Sequence, residues 1–231
     1  MPQAIRTIQL GNVNCYLIKT DAGYILIDTG FANQRAALEK ELEMAGCLPG
    51  NLRLILLTHG DADHTGNGAY LRKKYKTTIA MHPNDACMVE KGEVMMDSQR
   101  NRKVRPFLPR IRFNLILIFF GAAFRKVYAD FEEFKPDQYL TDGQSLKEFA
   151  FDAKVICLPG HTSGSIGILT QSGDLICGDT VVNRGKPIIS PSGEDFAELE
   201  ASVQKLKGLD AKTVYPGHGQ PFLMEQFMRN S

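Results

Sequence analysis

The sequence has almost no net charge and no nucleotide-binding motif, and both absences limit the classes of function that it can have. Its 231 residues include 27 Lys and Arg against 26 Asp and Glu, a net charge of +1. Nucleic-acid binding normally requires a strong basic surplus, so nucleic acid is not expected as a partner. No Gly-rich phosphate loop or nicotinamide fingerprint is present. We therefore expect a small-molecule substrate.

The sequence also lacks a disulfide pattern and a signal peptide. Its cysteines are odd in number and widely spaced: Cys15, Cys47, Cys87, Cys157 and Cys177. Reduced thiols are expected from this pattern. The first six residues lack the charged head and the continuous apolar body of a signal peptide. These features predict a cytoplasmic protein.

Length and composition favour one globular domain over residues 1–231, since 43% of the residues are hydrophobic and 23% are charged. Apolar runs bounded by turn residues predict strands at 5–10, 15–20, 24–28, 52–58, 78–82, 154–158, 165–170, 174–177 and 212–215. Helical spacing predicts helices at 33–45, 66–75 and 195–206, with a short helix at the C-terminal end.

Four potential metal ligands lie within six residues directly after the strand predicted at 52–58. They are the His and Asp side chains of His59-Gly60-Asp61-Ala62-Asp63-His64. In open α/β folds, sites gather where strands end. The stretch therefore predicts a site at a sheet edge.

Three further polar residues, His161, Asp179 and His218, each follow an apolar run and sit in a glycine-containing turn. Any one of them alone would more simply be a loop residue. Together with the first cluster they account for four of the five histidines. Imidazole and carboxylate ligands without cysteine suit zinc, iron or manganese. The pattern predicts a metal centre.

The order of these motifs, with the early turn Asp28-Thr29-Gly30, resembles the metallo-β-lactamase superfamily over about residues 10–219. The resemblance implies an α+β fold, a four-layer αββα sandwich, with a helical insertion around residues 83–136. It also implies two divalent ions. By position, one would take His59, Asp61 and His161, the other would take Asp63, His64 and His218, and Asp179 would bridge them.

Asp61 departs from the family pattern, since the hydrolytic members usually carry histidine there. A carboxylate has its closest precedent in the flavodiiron proteins, which carry glutamate. Aspartate is shorter than histidine and adds a negative charge, so we expect a weaker first site. Zinc remains the expected metal, with iron and manganese as alternatives.

The insertion combines a basic run with an apolar segment at 113–124. Twelve residues are too few to cross a bilayer, which takes about 20. We expect a helical cap over the metal cleft, with substrate contacts from Arg110, Arg112, Phe113, Phe119, Phe120 and Phe124. A buried core helix, a homodimer contact and a membrane-surface helix remain alternatives.

The function expected from these features is metal-dependent hydrolysis of a thioester or another activated ester. A hydroxide shared by the two ions would attack the carbonyl, and the catalytic residues Asp63 and Asp179 would position it. Three alternatives stay open: a diiron redox or oxygen-handling protein, a lactonase, and a metal-binding protein with little catalysis. Asp28 is expected to orient other groups rather than to bind metal, and His82 to be structural.

Overall fold

The computed structural model describes residues 4–93, 103–104 and 130–229. The strands, in chain order, are β1 (Ile5–Leu10), β2 (Val13–Thr20), β3 (Gly23–Ile27), β4 (Leu52–Leu56), β5 (Thr78–Met81), β6 (Lys103–Val104), β7 (Gln138–Tyr139), β8 (Ala153–Cys157), β9 (Ile166–Thr170), β10 (Asp174–Gly178), β11 (Val181–Asn183), β12 (Pro187–Ile189), β13 (Ser192–Gly193), β14 (Thr213–Pro216) and β15 (Phe222–Leu223). The helices are α1 (Arg35–Met44), α2 (Ala62–Thr65), α3 (Gly68–Tyr75), α4 (Pro83–Glu90), α5 (Phe196–Lys207) and α6 (Met224–Arg229).

Two sheets form the centre of the molecule. The first has the strand order β1-β2-β3-β4-β5-β7, and the second has the order β15-β14-β10-β9-β8. The N-terminal strands pair antiparallel as a meander, whereas β3, β4, β5 and β7 run parallel. In the second sheet β10 and β14 are parallel.

Strand β2 is buried on both faces because its alternate side chains enter two different cores. Tyr16 and Ile18 pack between the sheets, against residues of the second sheet such as Ile168. Cys15 and Leu17 point the other way, into the core beneath the helices. Each fully buried aliphatic side chain of this kind stabilises the fold by about 1.5–3 kcal/mol.

Helices cover the outer face of each sheet. Over the first sheet, α1 and α3 bury Leu38, Leu42, Leu71 and Tyr75. Over the second sheet, α5 and α6 bury residues including Val203 and Phe227. The four-layer αββα sandwich predicted from the sequence is therefore confirmed.

The helix predicted over 66–75 is confirmed as α3, which begins two residues later, at Gly68. A separate short helix, α2, precedes it, and Gly66 and Asn67 lie between the two. The Asn67 side-chain amide donates to the carbonyls of Thr29 and Phe31, both at 2.8 Å. Asn side chains that bond loop backbone in this way compete with helix continuity.

Of the predicted insertion at 83–136, the described part comprises residues 83–93, which include α4, together with the short strand β6 and residues 130–136. Strand β6 pairs antiparallel with β13. Within the described residues, no helix has both the length and the apolar character needed to cross a membrane.

Candidate metal centre

Four strands deliver the candidate ligands to one edge of the sandwich. Thr58 and His59 follow the end of β4, and His161 lies in the turn after β8. Asp179 directly follows β10, and His218 follows β14. Because β10 and β14 are parallel, their C-terminal ends meet at the same edge.

The first group of ligands comprises His59, His161 and Asp179, whose donor atoms all lie within 4.8 Å of one another. Asp61 joins it through its Oδ2 atom, which lies 3.4 Å from Nε2 of His59 and 3.2 Å from Nε2 of His161. The aspartate at position 61 therefore reaches both histidines despite its short side chain.

The second group comprises Asp63, His64 and His218, again within 4.8 Å. Asp179 also borders this group: Oδ2 lies 3.0 Å from Nε2 of His218, and Oδ1 lies 3.5 Å from Nε2 of His64. Its Oδ2 is also 3.8 Å from Nε2 of His161. One carboxylate thus stands between the two groups.

Each histidine points Nε2 towards the cluster and is held at Nδ1 from outside. Nδ1 of His161 lies 2.9 Å from the Ser192 carbonyl oxygen, and Nδ1 of His218 lies 2.7 Å from that of Asn12. Carbonyl oxygens accept only, so both Nδ1 atoms carry a proton, and Nε2 is the ring atom that each histidine turns towards the cluster. Metal-binding histidines are fixed in the same way.

Asp28 fixes the other two histidines. Its Oδ2 lies 2.8 Å from Nδ1 of His64 and accepts the Thr58 hydroxyl at 2.8 Å, while its Oδ1 accepts the Thr58 N–H at 2.8 Å. Because that hydroxyl proton goes to Asp28, Thr58 Oγ1 accepts from Nδ1 of His59, 3.0 Å away. One buried carboxylate therefore sets the tautomers of His59 and His64.

The residues present fit a pair of metal ions. Nε2 of His59, Nε2 of His64 and Oδ1 of Asp179 are buried without a hydrogen-bond partner among the described residues. Buried polar atoms left unpaired are costly in the absence of a ligand. Four imidazoles and three carboxylates without sulfur suit zinc, iron or manganese.

Charge within the metal-free cluster favours cations. Burial alone would lower the pKa of His64, but the carboxylates of Asp63 and Asp28 raise it to about 9. Burial likewise opposes protonation of His218, yet Asp179 and Asp63 raise its pKa to about 11. The pKa of Asp179 falls well below its usual range, since the attraction of His218 and His64 outweighs its burial. Metal ions would take the place of these protons.

The cluster is open to solvent mainly on the side of the second group. The side chains of His59, His64 and His161 are at most 2% exposed, whereas Asp63 is 18% and His218 is 25% exposed.

The structure places some of the other residues predicted from the sequence, and the rest lie outside the described residues. The seven predicted ligands lie together, and Asp28 supports two of them as expected. His82 caps α4 by accepting the Asn84 N–H at 3.3 Å. The substrate contacts predicted for the cap lie outside the described residues, namely Arg110, Arg112, Phe113, Phe119, Phe120 and Phe124.

Sequence reasoning missed Asp85 on α4, which is fully buried. Its Oδ2 accepts the Gly60 N–H at 2.8 Å, and its Oδ1 accepts the Gly164 N–H at 2.8 Å. The partners lie 25 and 79 residues away. The one local signal, an acidic residue shortly after Pro83, predicts a helix start and not these contacts.

Comparison with known families identifies the superfamily to which the chain belongs. The family model of the metallo-beta-lactamase superfamily matches residues 8–218. The chain belongs to the metallo-β-lactamase superfamily, and the resemblance noted in the sequence is confirmed.

Two curated relatives illustrate the range of the family. Hydroxyacylglutathione hydrolase GloC of Haemophilus influenzae is 27% identical over 224 residues, covering 94% of this chain and 91% of that protein. Atrochrysone carboxyl ACP thioesterase of Aspergillus fumigatus is 26% identical over 219 residues, covering 92% of this chain and 52% of that protein. A third relative, beta-lactamase-like protein 2 homolog of Caenorhabditis elegans, is 24% identical over 91% of this chain. The chain spans only 57% of the length of that protein.

Among solved structures, TTHA1623 in a di-iron-bound form superposes with a TM-score of 0.67 at 25% identity. The match covers 98% of this chain and 97% of that one. The likeness extends over the whole sandwich.

Proposed function

We propose that this protein is a metal-dependent hydrolase of thioesters or other activated esters, with a dinuclear centre. One observation carries the proposal: four histidine Nε2 atoms and three carboxylates converge at a buried strand edge, in two groups that share Asp179. GloC and the fungal thioesterase, whose names denote hydrolysis of acyl-sulfur compounds, support the substrate class.

The two groups would hold one ion each. His59, Asp61 and His161 would bind the first, Asp63, His64 and His218 the second, and Asp179 both. Two bound divalent ions would supply a hydroxide nucleophile at neutral pH and polarise the scissile carbonyl.

Different residues would position the attacking oxygen and the metal-binding imidazoles. Asp63, at the open side of the cluster, would orient the attacking oxygen and accept its proton. Asp28 and the carbonyls of Asn12 and Ser192 would keep the imidazoles rigid. Such fixed groups lower the barrier because they need no reorganisation during the reaction.

The proposal is tested by metal analysis of the purified protein together with a hydrolysis screen. The screen would contain S-acyl glutathione, acyl-coenzyme A, lactones, β-lactams and a phosphodiester. We expect about two equivalents of metal and turnover of thioesters. The Asp63→Asn variant should lose most of that turnover, while Asp142→Asn, on the exposed β8–α5 contact, should keep it. Metal binding without hydrolysis of any substrate would contradict the proposal.

A diiron redox protein is the second candidate, because Asp61 places a third carboxylate in the cluster. With Asp61, Asp63, Asp179 and one hydroxide, two divalent ions give a neutral centre, which tolerates an oxidised iron better than a cationic one. The di-iron form of TTHA1623 is consistent with this candidate. Iron in the purified protein, oxygen consumption with a reductant and no ester turnover would favour it.

A further inference from the structure

Asp85 lies outside the seven candidate ligands, yet it joins two of the loops that carry the first group, the loop of His59 and Asp61 and the loop of His161. Gly60, one of its donors, lies between His59 and Asp61. Thr162, whose hydroxyl donates to Oδ2 of Asp85 at 2.7 Å, directly follows His161. The Gly164 N–H completes the set from the same turn. A single carboxylate thus connects both loops.

We propose that Asp85 is a positioning residue for the first metal site. It holds the His59–Asp61 loop and the His161 loop at the separation that their side chains need to share an ion, without itself binding the ion. This inference rests on the dinuclear centre of the proposed function. It adds that Asp85 helps to determine how tightly the first site binds metal relative to the second.

The two loops are far apart in the chain, and their ligands meet closely. His161 and Asp61 are separated by 100 residues, and their side chains approach to 3.2 Å. Asp85 fixes their backbones through two N–H groups and one hydroxyl. Hydrogen bonds to an ionised carboxylate are stronger than those between neutral groups, so this link resists separation of the loops.

The turn after His161 is built to present its donors to Asp85. The Ser165 hydroxyl lies 2.7 Å from Thr162 Oγ1 and accepts the Thr162 N–H at 3.0 Å. Since Thr162 gives its hydroxyl proton to Asp85, Ser165 donates to Thr162. A Cβ added at Gly164 would lie 2.5 Å from Cγ of Asp85, so the close contact requires glycine.

The second group has its own supports. His64 is held by Asp28, and His218 is held by the Asn12 carbonyl. These contacts come from the turns after β3 and β1, not from α4. A change at Asp85 should therefore act mainly on the first site.

A second contact links the same segment of chain to His161. Strand β6, in the predicted insertion, pairs Val104 with Ser192, whose carbonyl accepts from Nδ1 of His161. Helix α4 and β6 both belong to residues 83–136. Two described parts of the predicted insertion, α4 and β6, thus contact residues that hold the first group.

The Asp85→Asn substitution tests the proposal in two single-site backgrounds. Asn keeps the size of Asp but replaces one acceptor oxygen with an NH₂ group, so at least one of the three donors loses its partner. The His218→Ala background leaves the first site intact, and the His161→Ala background leaves the second. Zn²⁺ affinity would be measured in each by competition with a chromophoric chelator.

We expect Asp85→Asn to weaken Zn²⁺ binding about 10- to 100-fold in the His218→Ala background, the range seen for residues that orient metal ligands. In the His161→Ala background the affinity should change less than about twofold on the same reasoning. Gly164→Ala keeps the Asp85 charge but displaces it, and should show the same selectivity.

Asp137→Asn is the matched control. Asp137 also accepts a backbone N–H, that of Ile79 at 2.8 Å, and it pairs with Arg72. We expect Asp137→Asn to lower the melting temperature and to leave both Zn²⁺ affinities unchanged.

Three outcomes would overturn the positioning role of Asp85: equal weakening at both sites in Asp85→Asn, no weakening at either site, or failure of both Asp85→Asn and Gly164→Ala to fold. Absence of metal binding by the unsubstituted protein would instead refute the dinuclear centre.

Discussion

The carboxylate of Asp28 and the imidazole of His64 meet at 2.8 Å, and both side chains are at most 1% exposed. The same carboxylate accepts the Thr58 hydroxyl that receives a hydrogen bond from His59. Candidate ligands of both groups therefore depend on one residue, which is itself not among the seven candidates.

Replacing Asp28 with Asn should weaken both metal sites. Asn tolerates the left-handed backbone at this position, where φ is 61°, so the change acts through the side chain. Its NH₂ cannot accept from Thr58 or His64, and we expect about a 10- to 100-fold loss of metal affinity. Chelator competition measures the loss. The control is Asp195→Asn at the start of α5, where Asn caps equally well; an equal loss there would refute the role of Asp28.

Replacing Asp61 with His should strengthen the first site and shift its preference towards zinc. Imidazole adds no negative charge and reaches farther than a short carboxylate, and softer nitrogen ligands favour zinc over manganese. Competitive titration of Zn²⁺ and Mn²⁺ would compare the substituted and unsubstituted proteins. Two sites of equal affinity in the unsubstituted protein would count against a weak first site.

Metal binding should release protons and strengthen as pH rises. The neighbouring carboxylates raise the pKa of His64 to about 9 in the metal-free protein, and that of His218 to about 11. These contacts stabilise the metal-free fold at low pH, and the stabilisation is lost as pH rises through the raised pKa values. Metal must displace the protons, so affinity should increase about tenfold per pH unit for each proton released.

Calorimetry in buffers of different ionisation enthalpy counts the protons released on Zn²⁺ binding. A His218→Ala variant should release fewer protons than the unsubstituted protein. Affinity independent of pH between about pH 6 and 8 would be incompatible with protonated histidines in the metal-free cluster.

Replacing Gly217 with Ala should damage both sites at once. A Cβ there would overlap Oδ1 of Asp179 and would lie 2.8 Å from Cε1 of His64. Because Asp179 borders both groups, we expect both affinities to fall by about tenfold or more, as for other changes that displace metal ligands.

Gly208→Ala at the end of α5 is the control for Gly217→Ala. A Cβ there has no atom closer than 3.4 Å, and its φ of −83° suits alanine. Its metal affinity should match that of the unsubstituted protein in the same competition assay. A Gly217→Ala variant that binds metal as tightly as Gly208→Ala would mean that Asp179 does not bridge the groups.

The sequence predicts the parts of this molecule that local patterns encode. The N-terminal strands follow from alternating or continuous apolar runs, and His59 to His64 follow from their dense spacing after β4. The start of α5 is signalled by Asp195, whose side chain accepts from the N–H groups of Ala197 and Glu198.

The remaining features depend on contacts between distant residues. Asn67 sets the start of α3, because its amide bonds the loop at Thr29 and Phe31, 36 to 38 residues away. Asp85 gains its role only when α4 lies against two loops. A single sequence shows which residue types are present but not which distant residues come into contact.

His218 completes the cluster from near the end of the described chain, and its ring rests on Asn12, 206 residues earlier. Asn14 adds hydrogen bonds to the carbonyls of Pro216 and Gly219. Contacts of such long sequence separation carry a large entropic cost of loop closure and slow folding. During synthesis the second metal group therefore lacks a ligand until the β14 region has left the ribosome and docked on the first hairpin. Tight uptake of two metal ions would accordingly wait until these two distant parts of the chain are in contact.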